Sequence, residues 1–192
     1  MYLSYPDVRG EVRALPYYRI EGKIETPLTL DDFKEGMDSG KFVESEHRAY
    51  CVLLYYSAVR KTEGLLVERE QFQITRSAIM YDVGERFKHS LKTPALRLPL
   101  KAPYMEELKI VVEKTPKRER VFPYCEKTAY NIVRRAFKYP HLFRLSRITN
   151  FFLDGWTIAQ VRSWTGLSLA ALEYYVGLVD ISKMGDSLAK VK

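Results

Sequence analysis

The chain has 192 residues, 46% of them hydrophobic and 29% charged, a balance that suits one folded domain and excludes a disordered segment. Lysine and arginine outnumber aspartate and glutamate by 31 to 24, a formal net charge of +7, and such an excess favours a polyanionic partner because each neutralised phosphate releases condensed counterions. No apolar run reaches the roughly 20 residues of a membrane helix, and the charged start MYLSYPDVRGEVR lacks the apolar stretch of a secretory signal, so a cytoplasmic protein with no membrane partner is expected.

Residues 1 to about 28 read as an irregular arm broken by Pro6, Pro16 and Pro27. Thr29 and Asp32 then form a helix-start signature, the side chain of one capping the backbone of the other, and this first helix should end near Ser39-Gly40. A second, apolar helix is expected from Glu44 to Val59, with Tyr50, Leu53, Leu54, Ser57 and Ala58 at spacings of three and four. From Gln71 to Leu100 the pattern shifts to β-branched and aromatic residues, with Ala95-Leu96-Arg97-Leu98 alternating before Pro99, which predicts a small antiparallel sheet. Helices return over Pro103 to Lys114 and Glu126 to Lys138. Pro140 suits the first turn of another, which Gly155 is placed to end. Short helices follow over Ile158 to Trp164 and Leu169 to Val176, the latter capped by Ser168. The expected fold class is α+β with helices dominant.

Four places carry side chains fit for phosphate chemistry. Arg60 and Glu63, placed at the end of the second helix, share a face at a spacing of three, where a carboxylate can fix a guanidinium and leave its other donors free. In KHSLKTPALRLPL, a lysine on a turn is mobile enough to reach into a cleft and give up a proton; Lys92 is the first choice and Lys88 the second. His141 and Arg144 put an imidazole and a guanidinium on one face near a helix start, where the dipole favours an anion. Tyr174 and Tyr175 stand together near the C-terminus, pointing about 100° apart on a helix. Cys51 and Cys125 lie far apart with no metal-ligand spacing, and no glycine-rich phosphate loop or tight carboxylate cluster is present, so neither a metal nor a cofactor is expected.

Taken in order, these pieces resemble the tyrosine recombinases (integrases of the lambda type). YYSAVRKTEGLLV is similar to the family's first arginine box, KTPALRLPL to its β-hairpin, HLFRLSRITNFFLDGWTIAQVRSWTG to its second box and LSLAALEYYVG to its nucleophile segment. The resemblance implies a catalytic domain over 29–179, between the arm and a tail of 180–192. It implies Arg60 and Arg144 as phosphate binders, Lys92 as proton donor, His141 as proton-transfer assistant, Glu63 as orienter of Arg60, and Tyr175, with Tyr174 as the alternative, as nucleophile. It further implies double-stranded DNA as substrate and self-association as dimer or tetramer on it. The chain departs from the pattern where the family has Gly-His or Gly-Trp before the nucleophile: Leu167 stands there, and Trp164 is the substitute donor. Leu145 follows Arg144 in place of a frequent histidine, and the arm is too short for the helical DNA-clamping domain that often precedes this one. These departures resemble the integrases of archaeal viruses and plasmids or a trimmed catalytic part, and scarce Asn and Gln fit a thermophilic source. The alternative on the same fold is a DNA-binding protein without catalysis.

Overall fold

Helix α1 (Leu30–Asp38) begins with the expected reciprocal cap. Thr29 Oγ1 accepts from the Asp32 backbone at 3.1 Å, and Asp32 Oδ2 accepts from the Thr29 hydroxyl and from the Thr29 backbone, each at 2.7 Å; the two bonds to Oδ2, the hydroxyl's first, hold the Asp32 carboxyl below its usual range. A computed structural model describes residues 26–84, 95–177 and 179 of the chain. Phe33 and Met37, one turn apart, turn the buried face of α1 inward. Between them Gly36 permits a close approach: a Cβ there would lie 2.3 Å from Phe137 Cε1.

Helix α2 (Ser45–Ser57) is the centre of the fold. Ten of its thirteen residues are buried, so it has no solvent face of its own and must be covered on all sides. It packs against α1, α4 (Met105–Lys114), α5 (Glu126–Arg134) and α6 (His141–Leu153). Phe33 stacks on Tyr55 with ring centroids 4.0 Å apart, and Phe137 meets Phe143 edge-on at 4.7 Å. These aromatic pairs tie α1, α2 and α6 together beyond simple area burial.

Strands β1 (Phe72–Ile74), β2 (Ala78–Tyr81) and β3 (Leu96–Pro99) form the expected antiparallel sheet in sequential order. Phe72 faces Tyr81 on β2, and Tyr81 faces Leu96 on β3. Along β3 burial alternates, with Leu96 and Leu98 inward and Arg97 and Pro99 outward, as the two-residue period of a half-buried strand requires. The connection between β2 and β3 contains 85–94, so Lys88 and Lys92 lie outside the described residues, as do 1–25 of the arm and 180–192 of the tail.

After β3 and α4, helix α5 stops at Arg134, four residues short of the expected Lys138. Its end tightens into three-residue bonds from Arg135 to Ile132 and Ala136 to Val133, and the turn delivers Phe137 to the core before Pro140 starts α6. Gly155, at φ 84°, follows the end of α6 as the sequence suggests. Helices α7 (Ile158–Thr165) and α8 (169–177) then pack on α6 around a second, smaller core that includes Leu145, Ile148, Phe151, Val161, Leu172 and Tyr175. The segment entering α1 is laid on α6 as well, through Leu28 N–H to Ser146 Oγ (2.7 Å) and Asn150 Nδ2 to Leu28 O (2.9 Å). Among the described residues no helix is long and apolar enough to cross a membrane.

Buried His47 gives the fold a pH dependence. Arg135 Nη1 lies 3.1 Å from its Nδ1, and since a guanidinium can only donate, Nδ1 must accept; Nε2 then carries the hydrogen toward Glu44 at 3.0 Å. Burial holds its pKa below 6.5, with Arg135 adding to the effect and Glu44 opposing it. The unfolded state therefore takes up this proton first, and the stability is complete above about pH 6.5 and is lost as pH falls below it. The melting temperature should fall between pH 7 and 5.5 by circular dichroism, and the fall should be smaller in His47→Gln.

Candidate active site

The site is assembled where α2 ends. Ala58 takes a left-handed conformation (φ 57°, ψ 22°) and returns its N–H to Leu54 O at 3.2 Å, terminating the helix. The chain swings away, and Arg60 becomes the N-cap of a separate short helix, α3 (Lys61–Leu65). The residue spacing predicts Arg60 and Glu63 at the end of α2; the left-handed Ala58 instead places them on the next element. Their pairing survives the correction. Glu63 accepts from the Arg60 backbone at 2.7 Å through Oε2 and from Arg60 Nη1 at 2.6 Å through Oε1. Glu63 is mostly buried while Arg60 is half exposed, so the carboxylate anchors the inner end of a guanidinium whose outer nitrogens face solvent.

Arg144 approaches from the first turns of α6. It is 2% exposed, and its Nη1 donates to the carbonyl of Ala58, so the same left-handed residue that ends α2 also holds the second arginine. Its Nη2 is buried with no hydrogen-bond partner among the described residues. Burial and the nearby Arg60 cation push its pKa down, Glu63 and Tyr175 opposing; an arginine stays charged through such a shift. A buried donor left unsatisfied costs about 1–3 kcal/mol, and an anion supplying the acceptor would offset that cost. His141, the first residue of α6, is exposed, and it lines with Arg60 and Arg144 a pocket of about 240 Å³.

Tyr175 closes the arrangement from α8. It is buried, and Arg144 and Arg60 both lie within electrostatic reach. Burial raises its phenol pKa, and the Arg144 guanidinium pulls the other way. Tyr174 has its ring 5.4 Å from that of Tyr175 at 78° but is 50% exposed. The helix turns one tyrosine to the arginines and the other to solvent.

Trp164 sits elsewhere. Its ring packs edge-on against Phe151 and Trp156, and it lines a different cleft from the one holding Arg60 and Arg144. Leu167, half-buried, packs on the second core. Two charged residues that the sequence did not mark also line the pocket: Lys61 and Glu126, paired at 2.8 Å. They are far apart in the chain, and no local spacing could have joined them. Among the described residues no three His, Cys, Asp or Glu side chains group to hold a metal ion.

No protein-family model and no curated protein sequence matches the chain. Solved structures do. The XerH site-specific recombinase, bound to its difH substrate in a pre-cleavage complex, matches over 80% of this chain with a TM-score of 0.59 and 19% identity. XerA recombinase matches over 89% with a TM-score of 0.63 and 14% identity, and the integrase from mycobacterium phage Brujita over 82% with 0.53 and 12%. This chain spans 51%, 67% and 58% of those proteins respectively. Its mainly helical architecture with a small three-stranded antiparallel sheet is the catalytic-domain fold of the tyrosine recombinases.

Proposed function

We propose that the chain cuts and rejoins DNA as a site-specific tyrosine recombinase or integrase, with 29–179 as the catalytic unit. The observation that carries this reading is the convergence of Arg60 and Arg144, from separate segments, on one small pocket, with the buried Tyr175 phenol within electrostatic reach of both. The Tyr175 phenol oxygen attacks the scissile phosphorus of double-stranded DNA, forming a 3′-phosphotyrosyl bond as the bond to the 5′ oxygen breaks. Arg60 and Arg144 bind the non-bridging oxygens, where charge peaks in the transition state. Lys92 gives the departing oxygen its proton, and His141 assists the loss of the tyrosine proton. A new 5′ hydroxyl then reverses the attack. Because the phosphotyrosyl link conserves the bond energy, the cycle uses neither ATP nor a metal ion.

Dimers or tetramers assembled on paired DNA sites, in the cytoplasm of a host cell, complete the proposal; the altered position at Leu167 supports placing the chain near the archaeal virus and plasmid integrases. The same feature favours the second reading, a DNA-binding protein without cleavage. Incubation with a pool of duplexes of randomised core, each carrying a bridging phosphorothiolate, separates the two. Strand cleavage with a protein–DNA adduct, formed in excess chelator, supports the recombinase. Salt-sensitive binding with no adduct supports the second reading, and adduct-free cleavage that the chelator stops overturns the tyrosine chemistry.

Glu63→Gln supplies a graded test. Losing the carboxylate weakens the hold on Arg60 without removing a phosphate ligand. Cleavage should slow about tenfold, the value of roughly 1.4 kcal/mol of lost transition-state stabilisation, while DNA affinity by filter binding stays within about twofold.

A further inference from the structure

A second cleft lies outside the Arg60–Arg144 pocket and shares no lining residue with it. It has a volume of about 690 Å³, within the range of small-ligand sites. Four cations line it: Arg76 from the β1–β2 turn, Arg97 on β3, Lys101 just beyond, and Arg147 on α6. Among the described residues no acidic side chain lines it and none of the four forms an ion pair; Arg97 donates to Ser77 Oγ at 3.3 Å.

The other wall is aromatic. Phe151 and Trp156 are stacked with centroids 4.3 Å apart, and Trp164 stands edge-on to Trp156 at 5.7 Å. The Arg147 guanidinium lies over the Phe151 ring at 4.4 Å. Arg147 Nε and Trp164 Nε1 are buried donors with no acceptor among the described residues.

We infer that this cleft holds unpaired nucleotides of a single DNA strand, bases against the tryptophan wall and phosphates against the cations. A duplex offers phosphates but hides the faces of its bases; an acidic peptide offers charge but no row of flat rings. Cations interleaved with rings suit a strand that exposes both. The inference rests on the proposed reaction for its purpose, since moving a broken strand to a new partner requires unpaired bases beside the break. From Arg144 to Phe151 is about 10 Å along α6 at 1.5 Å per residue, which sets the cleft a few nucleotides from the scissile phosphate.

The chain has two tryptophans, and both line this cleft, so intrinsic fluorescence reads it directly. Titration of the full chain with a dodecamer of thymidylate should quench the emission saturably. An abasic strand of equal length should bind without equal quenching. Arg76→Ser and Arg97→Ser, both at exposed positions, should each make the slope of log affinity against log salt shallower by about 0.7. Absence of quenching overturns the inference, as does equal quenching by the abasic strand or by polyglutamate. The reaction itself is read separately by the covalent adduct. An adduct without tryptophan quenching overturns the cleft assignment alone; quenching without an adduct overturns the reaction and leaves the cleft assignment standing.

Discussion

Replacing Arg144 with methionine is expected to abolish strand cleavage without lowering the melting temperature. Arg144 is almost wholly buried, forms no ion pair with a carboxylate among the described residues, and lies in reach of the Arg60 cation. Such a group is costly to the folded state because burial penalises its charge, and an apolar chain of similar length at this position carries no such penalty. The lost bond to Ala58 O takes back about 1 kcal/mol. Stability is thus spent on a preformed anion site. Loss of one such donor lowers the rate by about 10²–10³-fold, and Arg144→Lys should fall in that range: it keeps the charge but cannot reach Ala58 O and a phosphate with separate nitrogens. Single-turnover adduct formation and thermal unfolding of the same preparations check both halves.

Tyr175→Phe is expected to remove the adduct completely, whereas Tyr174→Phe keeps it within about threefold, the range of a surface change worth roughly 0.5 kcal/mol. The difference follows from burial. Tyr174 is half exposed, while Tyr175 lies against the arginines with its phenol held protonated by burial. On the proposed mechanism, a phosphate held by both guanidiniums would meet Tyr175 and not Tyr174, which places that oxygen for attack. Both variants should unfold near the wild-type temperature, because the ring that packs in the second core is retained.

Much of this was legible in the residues because it is local. The Thr29–Asp32 cap, the apolar run of α2 and the alternation on β3 each announce an element through a short-range rule, and each element is where those rules put it. The spacing of His141 and Arg144 likewise became two side chains on one pocket, since both sit on a single helix. What escaped depended on backbone choices or distant partners. A left-handed alanine carries no sequence mark, so Ala58 concealed the break that puts Arg60 on α3. The Lys61–Glu126 pair joins residues far apart in the chain. Trp164, offered as a donor for the phosphate site, is drawn instead into the stack with Phe151 and Trp156, where an indole buries more apolar surface. The resemblance prefers Tyr175 to Tyr174 without excluding either, and the packing of α8 on the second core adds the contrast in burial between them.

The central claim, that a tyrosine of this chain becomes joined to DNA, is tested most directly by mapping the adduct. After trapping on the phosphorothiolate pool and digestion with nuclease and protease, mass spectrometry should find a nucleotide on the peptide containing LEYYVGL, with fragmentation placing it on Tyr175. A nucleotide on another residue, or cleaved DNA with no modified peptide, would contradict it.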